Sequence, residues 1–326
     1  MNRRDLLRLG TAAGLSTLAP PSLLASGKPK PLRIAHLTDV HILPSETARG
    51  GFAQALKRVY AMKARPEIIL VGGDCVMEAS HTPTDEVKKQ WVEWHAVLRD
   101  FGEIPVHPVL GNHDYHWAKD PSGDPLAQRE EGAKWALEEL KMPGRFHSFD
   151  RGGWRFLQLD SVWWKDRNYR AELDGPQMEW LKAELARTPK TMPILVNSHI
   201  SIFSACGFLE NSASKEGNWV IPKSWMHADA IAIKDLFKAH GNVRLCLSGH
   251  MHQLDDIAMN GTRYLCAGAV SGNWWKGRYY DTDPGFLVAT LHQGGRAETE
   301  YVLYDGPEKS GRWQADSEAR SPENHV

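Results

Sequence analysis

Short apolar runs recur along the chain, each ending in a glycine-rich or polar turn. Residues 32–37, 68–71 and 106–110 read as buried strands. Between them apolar positions recur at helical spacing: Phe52, Leu56, Val59 and Tyr60 before Pro66, then Val87, Trp91, Trp94 and Leu98 before Gly102. Strand, helix, strand, helix, strand predicts parallel strands with functional loops at their carboxyl ends. Residues 120–132 are polar and Pro/Gly-containing and read as a surface insertion, and 135–140 as helical. Residues 145–150 and 154–160 form a hairpin pattern around Gly152-Gly153. Asp174 as a cap, Pro176 in the first turn and the stripe Met178, Leu181, Leu185 predict a helix, followed by a strand at 194–196. Residues 201–227 show no periodicity, a length of connection uncommon without a purpose. A helix over 229–240 stops at Gly241, and a strand at 243–247 follows. Asn260-Gly261 marks a hairpin, and strands at 286–291 and 298–304 close the pattern.

The polar residues at these strand ends share one chemistry. Asp39-Val40-His41, Gly72-Gly73-Asp74, Gly111-Asn112-His113-Asp114, Asn197-Ser198-His199 and Gly249-His250-Met251-His252 each follow an apolar run. Carboxylates, imidazoles and one carboxamide oxygen form a donor set suited to Zn, Mn, Fe or Co. Seven such donors are too many for one ion and suit two. A bridging carboxylate, Asp74 by preference, would hold the ions roughly 3.5–4 Å apart. Buried together without metal, these groups would go unpaired at several kcal/mol each.

Composition changes this picture little. With 39 Lys and Arg against 40 Asp and Glu, the net charge of −1 supplies no basic field for nucleic acid. The 326 residues suffice for one large domain or two small ones, and neither an internal repeat nor a domain boundary is visible. Thirteen Trp point to a heavily packed core, and four Cys match neither a disulfide framework nor paired zinc motifs. Arg3-Arg4 followed by a short apolar run at 9–18 has the layout of a twin-arginine export signal, too short to span a bilayer. The chain therefore divides into an export signal and linker at 1–28, a domain at 29–305 and a polar tail at 306–326. The expected partner is the twin-arginine export machinery, the expected compartment is the periplasm or the exterior, and no stable membrane insertion is expected.

Taken together, the five clusters in this order resemble the signature of the calcineurin-like metallophosphoesterases, and within them the branch of cyclic-nucleotide and glycerophosphodiester phosphodiesterases. The resemblance implies an α/β fold, a four-layer α/β/β/α sandwich of two mixed sheets. It implies one metal on Asp39, His41 and His252, a second on Asn112, His199 and His250, and Asp74 shared. The implied reaction is hydrolysis of a small phosphorylated substrate, a diester before a monoester, by attack of a metal-bridging hydroxide. His113, one residue after a ligand, would face the phosphoryl group and stabilise the transition state or protonate the leaving group; Asp114 would fix its ring or merely cap the loop. Trp274, Trp275, Lys276 and Arg278 would form an aromatic and basic substrate wall, or else pack against the C-terminal strands. Tyr115-His116-Trp117 is a second candidate wall, with His116 among its residues. Two rival readings remain. A nuclease of the same fold would want a basic groove that the chain does not show, and a metal-poor binding scaffold would have lost ligands that are all present here.

Overall fold

The computed structural model describes residues 30–304, except 167, 211 and 212, together with 310–311. The expected export signal lies outside the described residues, as does most of the polar tail. The strands are β1 (Leu32–Leu37), β2 (Ile68–Val71), β3 (Val106–Pro108), β4 (His147–Arg151), β5 (Trp154–Gln158), β6 (Val162–Lys165), β7 (Asn168–Ala171), β8 (Ile194–Asn197), β9 (Ser214–Lys215), β10 (Asn218–Trp219), β11 (Val243–Ser248), β12 (Asp255–Met259), β13 (Thr262–Cys266), β14 (Gly285–Leu291), β15 (Ala297–Leu303) and β16 (Ser310–Gly311). The helices are α1 (Glu46–Ala61), α2 (Thr84–Arg99), α3 (Pro125–Glu139), α4 (Gly175–Arg187) and α5 (Ala230–His240).

Two six-stranded mixed sheets result, in the orders β16-β15-β14-β1-β2-β3 and β12-β13-β11-β8-β5-β4. β1, β2 and β3 run parallel, as do β5, β8, β11 and β13. Their carboxyl ends therefore deliver loops to one region. Ile34, Leu70 and Leu287 of one sheet meet Phe156, Leu195 and Leu245 of the other in a dry inner layer. Phe52 of α1 stacks on Trp94 of α2 over the outer face of the first sheet, with ring centroids 5.1 Å apart. Leu181 of α4 and Phe237 of α5 cover the outer face of the second. Burying such a side chain fully contributes about 1.5–3 kcal/mol. The expected four-layer sandwich is what forms. At the ligand-bearing end the two sheets are also tied by polar groups, because His36 Nε2 of β1 lies 3.1 Å from Asn197 Oδ1 of β8.

One expectation fails for a physical reason. The stretch expected to be a surface insertion contains most of α3: Asp124 caps its first turn by accepting from Leu126 N and Ala127 N, and Pro125 occupies the first position. Its buried face carries Gln128, Arg129 and Gly132, so it shows no apolar stripe. Gly132 is required there, since a Cβ would stand 2.3 Å from the Trp117 ring. The ribbon β6–β7 was not foreseen either. In the tail, β16 pairs with β15 and extends the sheet edge.

Arg129 is buried because it belongs to an ionic cluster that joins α3, β5 and α4. Asp160 Oδ2 accepts from Arg129 Nε (3.0 Å), Arg145 Nη1 (2.7 Å) and the Tyr115 hydroxyl (2.6 Å). Asp174 Oδ2 accepts from the same two guanidinium groups at 2.9 and 2.8 Å, while its Oδ1 caps α4 through Gln177 N. Burial raises the Asp160 carboxyl, but the two arginines outweigh it and hold the value below 3.8. Asp160→Asn is expected to cost about 3–5 kcal/mol in denaturant unfolding, since it leaves the two buried cations with Asp174 as their only buried countercharge, the other partner, Glu130, being exposed. In the parent chain this contribution is complete above the unfolded value of 3.8 and is lost as the pH falls through the lower folded value. A cost under about 1 kcal/mol, typical of an exposed pair, would contradict the role assigned to the cluster.

Candidate metal centre

The strand-end loops bring all seven expected donors to one place. Pairing continues past the strands: Asp39 N donates to Gly73 O and His41 N to Asp74 O in the first sheet, and Gly249 N to His199 O in the second. Asp39, His41, Asp74, His250 and His252 have φ of 54°, 47°, 50°, 68° and 55°, in the left-handed region. Each such residue costs about 1–2 kcal/mol, and the surrounding pairing must offset it. The two motif glycines are required by close approach. A Cβ at Gly111 would lie 2.1 Å from Asp74 Oδ1, and one at Gly249 would lie 2.2 Å from Asp39 Oδ2.

The donors converge as two groups. Asp39, His41 and His252 form one, Asp74, His199 and His250 the other, and His41, Asp74 and His113 form a third set at the junction; each set has one donor atom per residue within 4.8 Å of the others. His41 Nε2 and His252 Nε2 are 3.1 Å apart, and His252 Nε2 is 3.3 Å from Asp39 Oδ1. In the other group His199 Nε2 lies 3.0 Å from Asn112 Oδ1, 3.1 Å from His250 Nδ1 and 3.2 Å from Asp74 Oδ2. Backbone carbonyls fix which nitrogen faces inward, because His252 Nδ1 donates to Gly272 O and His199 Nδ1 to Gly72 O. Bare imidazole nitrogens facing one another and two carboxylates are a donor set that fits cations, so these residues could hold metal.

Electrostatics point the same way. Burial drives the His41 and His250 imidazoles down to about 3, so both are neutral donors. Burial also opposes charge on His199, yet Asp74 outweighs it and lifts the value to about 9. Asp74 is held low, against burial, by His199 and His113. His113 rises to about 9 because Asp74 and Glu78 overcome its burial.

Around the donors, sequence reasoning is corrected at several residues. Asp114 does not touch the His113 ring; its Oδ1 accepts from Cys75 N and Val76 N and its Oδ2 from Gly111 N, which is the loop-capping role. Glu78 stands there instead, with Oε2 3.1 Å from His113 Nδ1 as an ion-pair contact. Of the expected wall, Trp274 lines the cavity beside the donors, its ring 4.3 Å from that of His252. Trp275 turns away, donating to His41 O and packing on Gly51. Arg278 is exposed and paired with Asp283, and Lys276 is exposed. His116 is buried between Thr84 and Ala79 O, outside the cavity. Tyr169, Glu210, Trp225, Met251 and Tyr279 complete the lining of the cavity, about 190 Å³ in volume. Tyr169, Glu210 and Trp225 come from segments without periodicity or motif, so only folding reveals them. The four cysteines are buried and free, Cys75 among them.

Known proteins resemble this chain in sequence and in fold. The sequence model of the family described as calcineurin-like phosphoesterase matches residues 32–254. A 3',5'-cyclic-nucleotide phosphodiesterase of Nostoc sp. is 24% identical over 68% of this chain and 72% of its own. The 3',5'-cyclic adenosine monophosphate phosphodiesterase CpdA of Haemophilus influenzae is 24% identical over 82% and 89%. In three dimensions a dimetal phosphatase from Danio rerio gives a TM-score of 0.56 at 14% identity, covering 84% of this chain and 99% of that one. GAP50, the anchor in the inner membrane complex of Plasmodium, gives 0.53 at 17% identity over 87% of each. The fold alone thus serves both a phosphatase and an anchor, and the donors must carry any functional argument.

Cation uptake competes with the proton that Asp74 holds on His199. With Mn²⁺ or Zn²⁺ as probe, the unfolding temperature should rise, by the equivalent of about 2.7 kcal/mol at a hundredfold excess over the dissociation constant. At fixed metal the rise should grow between pH 6 and pH 9, as the His199 proton becomes easier to displace. Asp74→Asn should abolish most of it. A rise indifferent to pH and to Asp74 would mean that the ion binds elsewhere.

Proposed function

The chain belongs to the calcineurin-like phosphoesterase family, and from that premise we propose that it hydrolyses small phosphodiesters with two metal ions. The observation that carries this reading is the convergence of all seven donors from both sheets, with ring nitrogens aimed inward by backbone carbonyls. Asp39, His41 and His252 would hold one ion, Asn112, His199 and His250 the other, and Asp74 both. When bound, such a pair lowers the pKa of water to supply a nucleophile and neutralises the phosphoryl oxygens.

The remaining work falls to side chains of the cavity. His113 is anchored by its own N–H to Asp74 Oδ1 at 2.8 Å, and its ring opens into the cavity. Protonated at neutral pH, it would donate to the departing alkoxide. Glu78 would keep that proton in place. The small, aromatic-lined volume suits a small diester rather than a nucleic-acid duplex. The relatives named cyclic-nucleotide phosphodiesterases support the diester preference, and at 24% identity they do not extend to the base. The scaffold reading is disfavoured because each donor position is filled. We place the protein outside the cytoplasm on the strength of the twin-arginine pattern alone.

A panel of cyclic nucleotides, glycerophosphodiesters and aryl mono- and diesters tests the proposal, with Asn112→Ala expected to lose most activity on every substrate. His113→Asn should lower kcat by about 10²–10⁴-fold. Since His113 acts protonated, kcat/KM should fall as the pH rises through its value. Glu78→Gln, which removes a charge holding the proton, should move that alkaline limb to lower pH. A limb unmoved in both variants would exclude His113 as the acid.

A further inference from the structure

Glu210 is a carboxylate that the phosphoryl chemistry does not use. It lies in the long aperiodic connection between β8 and α5, is only 9% exposed, and lines the same cavity as His113 and Trp274. Its Oε1 accepts from Gln253 Nε2 at 2.9 Å and lies 3.4 Å from the Tyr279 hydroxyl, and its Oε2 accepts from the Tyr280 hydroxyl at 2.7 Å. All three donors are neutral, and among the described residues no Lys, Arg or His side chain pairs with it. Buried carboxylates are ordinarily matched by a positive charge. Beside Glu210 the wall is aromatic: Trp274 and Tyr279 stand edge to face, with centroids 5.5 Å apart and planes at 87°, and Trp225 also lines the cavity.

Aromatic faces around an unmatched carboxylate form a receptor for an organic cation. The carboxylate is already engaged by three donors, so a primary ammonium would find too few free acceptors for its three N–H groups. A quaternary ammonium has no N–H to satisfy and needs only negative potential and π faces. We propose that Glu210, Trp274 and Tyr279 form a subsite for a quaternary ammonium head on the substrate's alcohol. The preferred substrates are then phosphodiesters of a trimethylammonium alcohol. This inference rests on the phosphodiesterase reading above.

The test compares p-nitrophenyl phosphorylcholine with p-nitrophenyl 3,3-dimethylbutyl phosphate, which has the same shape and the same phosphate but an uncharged tert-butyl head in place of the trimethylammonium. The parent protein should show kcat/KM about tenfold higher or more for the cationic diester. In Glu210→Gln, and in Trp274→Leu, which keeps apolar bulk and removes the π face, the ratio should fall toward one. Because both substrates are measured on the same variant, a general loss of activity or of folded fraction cancels. A ratio near one in the parent, or one unchanged in both variants, overturns the subsite while leaving diester hydrolysis standing. If neither diester is cleaved, the hydrolytic reading fails and binding decides the subsite. Phosphocholine should then quench tryptophan fluorescence at about tenfold lower concentration than 3,3-dimethylbutyl phosphate, in a manner dependent on Glu210, and equal affinities overturn it.

Discussion

Asp74 leaves the end of β2 with a left-handed backbone, and its carboxylate reaches into both donor groups and to His113. Its Oδ2 is 3.2 Å from His199 Nε2, 3.6 Å from His41 Nε2 and 3.9 Å from His113 Nε2, and its Oδ1 accepts from His113 N. One side chain thus joins both donor groups and the proposed acid. A buried carboxylate among neutral imidazoles is unfavourable unless positive charge accompanies it. In the protein alone, protons on His199 and His113 supply that charge. A cation between the two donor groups would supply it better, and would return the His199 nitrogen to its role as an electron-pair donor.

The architecture follows from the need to hold this arrangement still. His199 and His250 come from the second sheet, while Asp39, Asp74 and Asn112 come from the first, so the centre exists only when the sheets are face to face. The leucine-rich inner layer gives that packing its energy, and the contacts of Asn197 with His36 and with Val71 O register the sheets at the ligand-bearing end. Nearby, Tyr115 follows the third cluster directly and donates to Asp160, which links the Asn112 loop to the buried arginine cluster. Disturbing Asp160 therefore reaches the centre through the Tyr115 hydrogen bond and one turn of chain.

Much of this was legible in the residues themselves. Parallel strands ending in Asp, His or Asn are visible because strand burial leaves an uninterrupted apolar run, and a ligand just past it stands out. Gly111 and Gly249 carried a signal whose reason appears only in the fold, where carboxylates press on their backbones. Other features were hidden by chemistry that mimics a surface. The first half of α3 reads as a surface insertion because its buried face holds Gln128 and Arg129, satisfied by partners remote in sequence, whereas the second half reads as a helix. Asp114 was offered both as a partner of His113 and as a loop cap, because adjacency in sequence does not show where a side chain points; Glu78, thirty-five positions upstream, takes the place beside the ring. Trp274 and Trp275 are neighbours that diverge into the cavity and away from it, and Glu210 had no neighbouring motif to single it out.

The account depends on two cations bridged by one carboxylate, and anomalous X-ray scattering from crystals of the metal-loaded protein tests that directly. The prediction is two peaks roughly 3.5–4 Å apart, one within the Asp39–His41–His252 group and one within the Asn112–His199–His250 group, with Asp74 between them. A single peak, or peaks away from Asp74 in protein saturated with metal, would contradict it.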